Sequence, residues 1–174
     1  MKYIIVLICG LCGGITLINL ARCLACGKGR AHQKLMRVAL VLALVLLVRF
    51  GGGGLLALFG MGWRSQPRNI LNAIWVVLLL AAVWNGVEAY WELPRGKRRH
   101  ETWSALCFFV TFFSIIFSAV FYSMRYQWHD WTAVQNGRLV VVESDETGSI
   151  GRRFAYLYVR PIVHGREVEY LWMS

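Results

Sequence analysis

The chain has 174 residues, of which 57% are hydrophobic and 16% charged, with a net charge of +10. Soluble chains carry about 45–50% and about 25%, and the apolar excess here is gathered into blocks, which excludes an ordinary soluble domain. The positive charge does not signal a nucleic-acid surface: the tail from Asp130 to Ser174 has five basic and six acidic residues, and the surplus lies in loops too short for a broad basic face with base-reading groups.

Four apolar stretches, at 3–20, 38–63, 70–91 and 103–124, approach or exceed the roughly 18–20 residues that a helix needs to cross a hydrocarbon core of about 30 Å. The first contains Gly10, Gly13 and Gly14, small residues that allow close approach between helices inside a membrane. Only Lys2 precedes it and Arg22, Lys28, Arg30, Lys34 and Arg37 follow, the reverse of a cleaved signal peptide, so it is expected to stay. The second holds Arg49 about midway, then Gly51, Gly52, Gly53 and Gly54 in a row. Each glycine weakens a helix by about 1 kcal/mol relative to Ala, so a flexible point, kinked or locally unwound, is expected there. The third opens on Ser65-Gln-Pro67 and closes with Asn85, Glu88 and Trp91 before Pro94. The fourth is rich in phenylalanine. Trp63, Trp91, Trp103 and Trp128 fall at the expected boundaries, where aromatic belts form.

Basic loops stay cytoplasmic. Besides the five between the first two spans, Arg95, Lys97, Arg98 and Arg99 lie between the last two, whereas the middle loop has only Arg64 and Arg68. The sequence therefore predicts a multi-pass protein of the bacterial inner membrane, with the bilayer as its first partner and both termini periplasmic. Its domains are a four-helix transmembrane part at 1–124 and an extracytoplasmic β-rich part at 125–174.

In that second part Thr132–Gln135 is joined to Arg138–Glu143 by Asn136-Gly137, the strongest short hairpin signal. A polar loop leads to Phe154–Val163, which is expected to turn through His164-Gly165 into Arg166–Trp172. Both long runs are rich in aromatic and β-branched residues, so the fold class is membrane all-α with a small C-terminal antiparallel sheet of two hairpins. The run Tyr156-Leu-Tyr158-Val-Arg-Pro-Ile-Val-His-Gly165-Arg-Glu-Val resembles the "tyrosine-x-tyrosine, short strand, glycine" ending of a family of small bacterial membrane-anchored β domains of unknown function. The resemblance implies a β fold and no activity.

Three groups of residues invite a chemical reading. Arg49 lies about 18 Å beyond Arg37 at 1.5 Å per residue, and a charge at mid-bilayer costs at least about 2.5–3.5 kcal/mol, so it needs a partner. Glu88, with Asn85 one turn away, is the expected one, either as a structural lock between helices or as part of an ion or proton path. Cys23, Cys26, His32 and His100 are ligand types that suit structural zinc. The competing reading, ordinary reduced thiols beside the membrane, is the one adopted, and no metal or cofactor is expected. His129, Asp130, Asp145, Glu146 and His164 supply polar groups outside the membrane, but no serine or cysteine stands in a nucleophile context, so no catalytic residues are assigned.

The function expected is therefore non-enzymatic. The chain reads as a membrane protein that binds a protein partner, a toxin or a subunit of a membrane complex, at or outside the bilayer. Tyr156, Tyr158, Arg160, His164, Tyr170 and Trp172 are the candidate contacts. The concrete expectation is an immunity protein against a membrane-acting or periplasmic bacterial toxin, a task that needs only membrane residence and a recognition surface. The alternative is a small transporter or channel component built around Arg49, Glu88 and the glycine run.

Overall fold

The computed structural model describes residues 2–98, 100–125, 128–135, 137–145 and 153–168. Helix α1 spans Lys2–Cys26. Helix α2 spans Arg30–Leu46, passes into a π-helical turn at Leu47–Gly51, and continues as α3 over Gly52–Leu58. A two-residue strand, β1 (Gly62–Trp63), precedes the long helix α4 (Ser65–Glu92). A 3-10 turn at Arg95–Lys97 leads into α5 (Glu101–Arg125). Strands β2 (Trp128–Gln135), β3 (Arg138–Asp145), β4 (Arg153–Tyr158) and β5 (Val163–Val168) complete the chain.

Four helical stretches are long and apolar enough to cross a membrane: Val6–Cys26, Arg30–Leu58, Ser65–Glu92 and Glu101–Phe121. The second starts at Arg30 rather than at residue 38. The cause is a cap the sequence hides: the Glu92 carboxylate accepts the backbone N–H of Ala31 at 3.2 and 3.3 Å, satisfying a donor of the first turn of α2. Gly29 makes room for it, because a Cβ there would collide with the same carboxylate. The glycine run begins inside a locally loosened turn: Gly51 belongs to the π-helical turn, the Gly52 N–H bonds to the Leu47 carbonyl, and α3 carries Gly52, Gly53 and Gly54 as regular helix.

The chain separates into two compact units, Met1–Leu44 with Trp75–Val120, and Val45–Ile74 with Phe121–Ser174. The first is helical. Its core gathers Cys23, Leu35, Val83, Tyr90 and Phe108, closed by Ala31, Ala82, Ala89 and Leu93. Small residues let the helices meet: Gly86 faces Leu20 and the Phe108 ring, with no room for a Cβ against either. Thr16 and Thr111 share a hydrogen bond at 3.0 Å, and the Ser114 hydroxyl donates to Cys9 Sγ at 3.4 Å.

The second unit contains the sheet, antiparallel throughout in the order β1-β5-β4-β3-β2. Four of its strands form the two expected hairpins. The fifth was not expected: β1, from the connection between the second and third spans, pairs Gly62 with His164 and Trp63 with Val163. Strand β2 runs full length against β3, with Gly137 at φ +72° in the turn, as an Asn-Gly hairpin requires; Asn136 itself lies outside the described residues. The second hairpin turns earlier than the sequence suggests. Arg160 and Val163 exchange backbone hydrogen bonds of 3.2 and 3.3 Å around Pro161-Ile162, so His164 and Gly165 stand in β5. Proline has no N–H to give a ladder and suits a turn, which moves the bend to Pro161. Val140, Val141, Val142 and Ala155 form the buried centre of the sheet.

Candidate functional site

The second unit holds two ion pairs with buried carboxylates. Arg64 and Arg68, at the start of α4, are the two basic residues of the middle loop. The Arg64 Nε donates to Asp130 Oδ2 at 2.6 Å, and Arg68 Nη2 donates to Glu143 Oε2 at 3.3 Å. Both carboxylates are buried, with side-chain exposures of 0% and 3%. Asp130 is thus an anchor for Arg64, and the side chain of its neighbour His129 lies outside the described residues. The Arg64 guanidinium also lies 5.9 Å from the centre of the Tyr158 ring.

Tyr156 packs against His164, ring centres 4.0 Å apart. Burial first, then the nearby Glu143 and Glu167 carboxylates, push its hydroxyl above the usual value of 10.0. The His164 Nδ1 faces the Gly165 carbonyl at 2.9 Å, and its Cε1–Nε2 edge lies against Gly62, where a Cβ would come within 2.8 Å of both atoms. Of the expected partner contacts, His164 is buried and Tyr156 half-buried. Arg160 is exposed in the turn, and Tyr170 and Trp172 lie outside the described residues.

The π turn sets Arg49 facing Asn72, to whose Oδ1 its Nε donates at 3.0 Å. Its guanidinium also lies 5.4 Å from the centre of the Phe50 ring. Glu88, expected as its partner, belongs to the other unit and there lies 3.8 Å from Lys34 Nζ. Asn85 bonds back to the Ala81 carbonyl of its own helix at 2.7 Å. Each of the three has a partner within its own unit. The sequence reading missed Asn72 because it searched for an opposite charge, and an amide in a third-helix apolar run carries no such signal.

A cavity of about 410 Å³ opens between α3, β1 and the sheet, lined by Arg49, Arg68, His164, Trp63 and the backbone of Gly53 and Gly54. A second, apolar cavity of about 390 Å³ shares Met61 and Trp63 with it and runs past Leu55, Leu56, Phe59 and Val163. The Trp63 indole N–H is buried without a hydrogen-bond partner among the described residues.

The residues of zinc type do not gather. Cys23 is fully buried and faces the Gly86 carbonyl, Cys26 is exposed, and His32 Nδ1 bonds to the Cys23 carbonyl at 2.9 Å. Among the described residues no three His, Cys, Asp or Glu side chains are placed to hold a metal ion. Comparison with protein-family models, with curated proteins and with solved structures finds no match to this chain.

Proposed function

We propose that this chain is a non-enzymatic inner-membrane protein that binds a protein partner outside the cytoplasm, most concretely an immunity protein against a membrane-acting or periplasmic toxin. The observation that supports the reading is the edge position of β2, beside which no further strand pairs among the described residues. Strand β2 ends the strand order, eight residues long, with Trp131 39% and Val134 73% exposed. Edge strands left uncovered are templates for another chain, and strand addition is a recurrent way to bind an extended segment. The orientation rests on the basic first and third loops, and the pairing of β1 with β5 fits it, since the middle loop and the tail then share one side.

The test is protection. The chain is co-expressed with a membrane-acting or periplasmic bacterial toxin, and survival is compared for the native protein and for Trp131→Asp with Val134→Asp. The expected result is loss of protection at unchanged membrane abundance. Full protection by the double variant would sink the edge-strand reading.

A small transporter is the second reading, favoured by the π turn that carries Arg49, since π turns are frequent at functional sites. It requires Arg49→Leu with Glu88→Leu to be abundant in the membrane yet inactive in transport.

A further inference from the structure

Six residues, 59–64, join the end of α3 at Leu58 to the start of α4 at Ser65, and both helices belong to stretches long and apolar enough to cross a membrane. At about 3.3–3.6 Å per residue fully extended, a link of this length that must also return cannot rise far above the hydrocarbon. Strand β1 lies inside it, and Trp63 is of the residue type that gathers at that boundary. Gly62 and Trp63 pair with His164 and Val163 of β5, and paired strands lie about 4.8 Å apart. The start of β5 is therefore tied to the level at which the second and third spans meet the surface.

The turn that precedes β5 is tied to the same level by a further bond. The Arg64 N–H donates to the Ile162 carbonyl at 3.1 Å, and Arg64 is the residue before α4. Within this turn Val159 and Ile162 are 43% and 54% exposed, Arg160 and Pro161 are exposed, and positions 159–163 include no acidic residue. The apolar surface of the second span runs on to it: Val163 lines one groove with Leu55, Leu56 and Phe59, of which Leu55 and Phe59 are 61% and 70% exposed. Single exposed apolar side chains are ordinary on a surface that faces water. Here two of them stand at the end of a span, continuous with its exposed apolar side.

We propose that the β4–β5 turn, residues 159–162, lies in the interfacial layer of the phospholipid bilayer, with Val159 and Ile162 against the upper acyl chains and Arg160 beside the phosphates. A guanidinium on a long apolar stem suits that layer, since the stem can be covered while the charge stays among phosphate oxygens. Pro161 suits it too, because it has no N–H to leave unsatisfied. The bilayer then holds the sheet at its β1 end, and β2, at the other end of the strand order, takes no part in that contact. This contact requires the spans and the short link between them, whatever partner β2 binds.

Full-length protein with labelled isoleucine methyl groups is placed in nanodiscs of phosphatidylglycerol and phosphatidylcholine, and the Ile162 signal is assigned by its disappearance in Ile162→Leu. Two relaxation probes are compared by nuclear magnetic resonance: a phospholipid carrying a nitroxide near the top of its acyl chain, and a water-soluble gadolinium chelate. Ile70, 60% exposed within the third span, is the lipid-facing reference. The lipid nitroxide is expected to weaken the Ile162 signal as much as that of Ile70, and the chelate is expected to cause the smaller loss. A signal lost to the chelate and spared by the lipid nitroxide would place the turn in water and overturn the proposal. A signal spared by both would mean that protein covers the turn, and would overturn it as well.

Discussion

The two units are held together by opposite means. In the helical unit the core contacts are between small residues and weak polar groups, Gly86 against Leu20 and Phe108, Thr16 with Thr111 and alanines closing the core, while its Lys34–Glu88 ion pair is exposed. In the sheet-bearing unit two arginines reach buried carboxylates, and a tyrosine and a histidine stack beside one of them. Lipid offers helices no hydrophobic gain on association, so the first unit depends on shape. At the end of the spans charge becomes affordable, and the second unit depends on pairing. The same kind of substitution should therefore act very differently in the two.

The largest effect is expected at Asp130. Removing the carboxylate in Asp130→Ala leaves Arg64, whose side chain is only 13% exposed, beside an empty site. Breaking a buried pair by one partner costs about 3–5 kcal/mol, and unfolding of the purified protein in detergent should register it. Replacing both members, Arg64→Met with Asp130→Leu, should recover much of the loss. If the single variant is as stable as the native protein, the sheet unit does not rest on its ion pairs.

A shape defect in the helical unit should cost less. Gly86→Val forces Leu20 and the Phe108 ring to move, and overpacking of this kind costs about 1–3 kcal/mol. The change should appear as a lower unfolding temperature with unchanged dependence on salt. A substitution without cost would mean that the helices are not in close contact at this glycine.

The smallest effect is a pH dependence confined to the sheet unit. Tyr156 ionises less readily in the folded chain than its usual value of 10.0, because of burial and of Glu143 and Glu167. Its contribution is complete below pH 10, where both folded and unfolded forms are neutral. It is lost as pH rises through the raised folded value, because the unfolded chain ionises first. Tyr156→Phe should flatten this alkaline decline. An identical decline in the variant would assign it to other groups.

What was legible in the sequence follows the same division. The four spans come from length and hydropathy, which one segment reports by itself, and the β2–β3 hairpin comes from a local turn signal. The early start of α2 was not legible, because its cap comes from Glu92, 61 residues away. Strand β1 has only two residues, too few for any periodicity, and exists because β5 pairs with it. The bend at Pro161 was readable from the proline and was passed over for His164-Gly165. At the polar cavity Arg49 and the glycines stood out, whereas Trp63 read as a belt residue and Asn72 as part of an apolar run. Their roles depend on which strand and which arginine lie opposite, information no single segment carries.

The pairing of Arg64 with Asp130 and of Arg68 with Glu143 joins positions 66 and 75 residues apart, and this sets an order of assembly. When the middle loop has been synthesised, its partners have not yet been made. At about 5–20 residues per second of synthesis, both arginines wait roughly 3–15 seconds for the strands that carry Asp130 and Glu143. Strand β1 also waits, since its partner β5 begins only at Val163. For that interval the half-made protein presents two unneutralised cations and an unpaired strand at the membrane surface, the period in which a quality-control protease or an insertion factor has something to recognise.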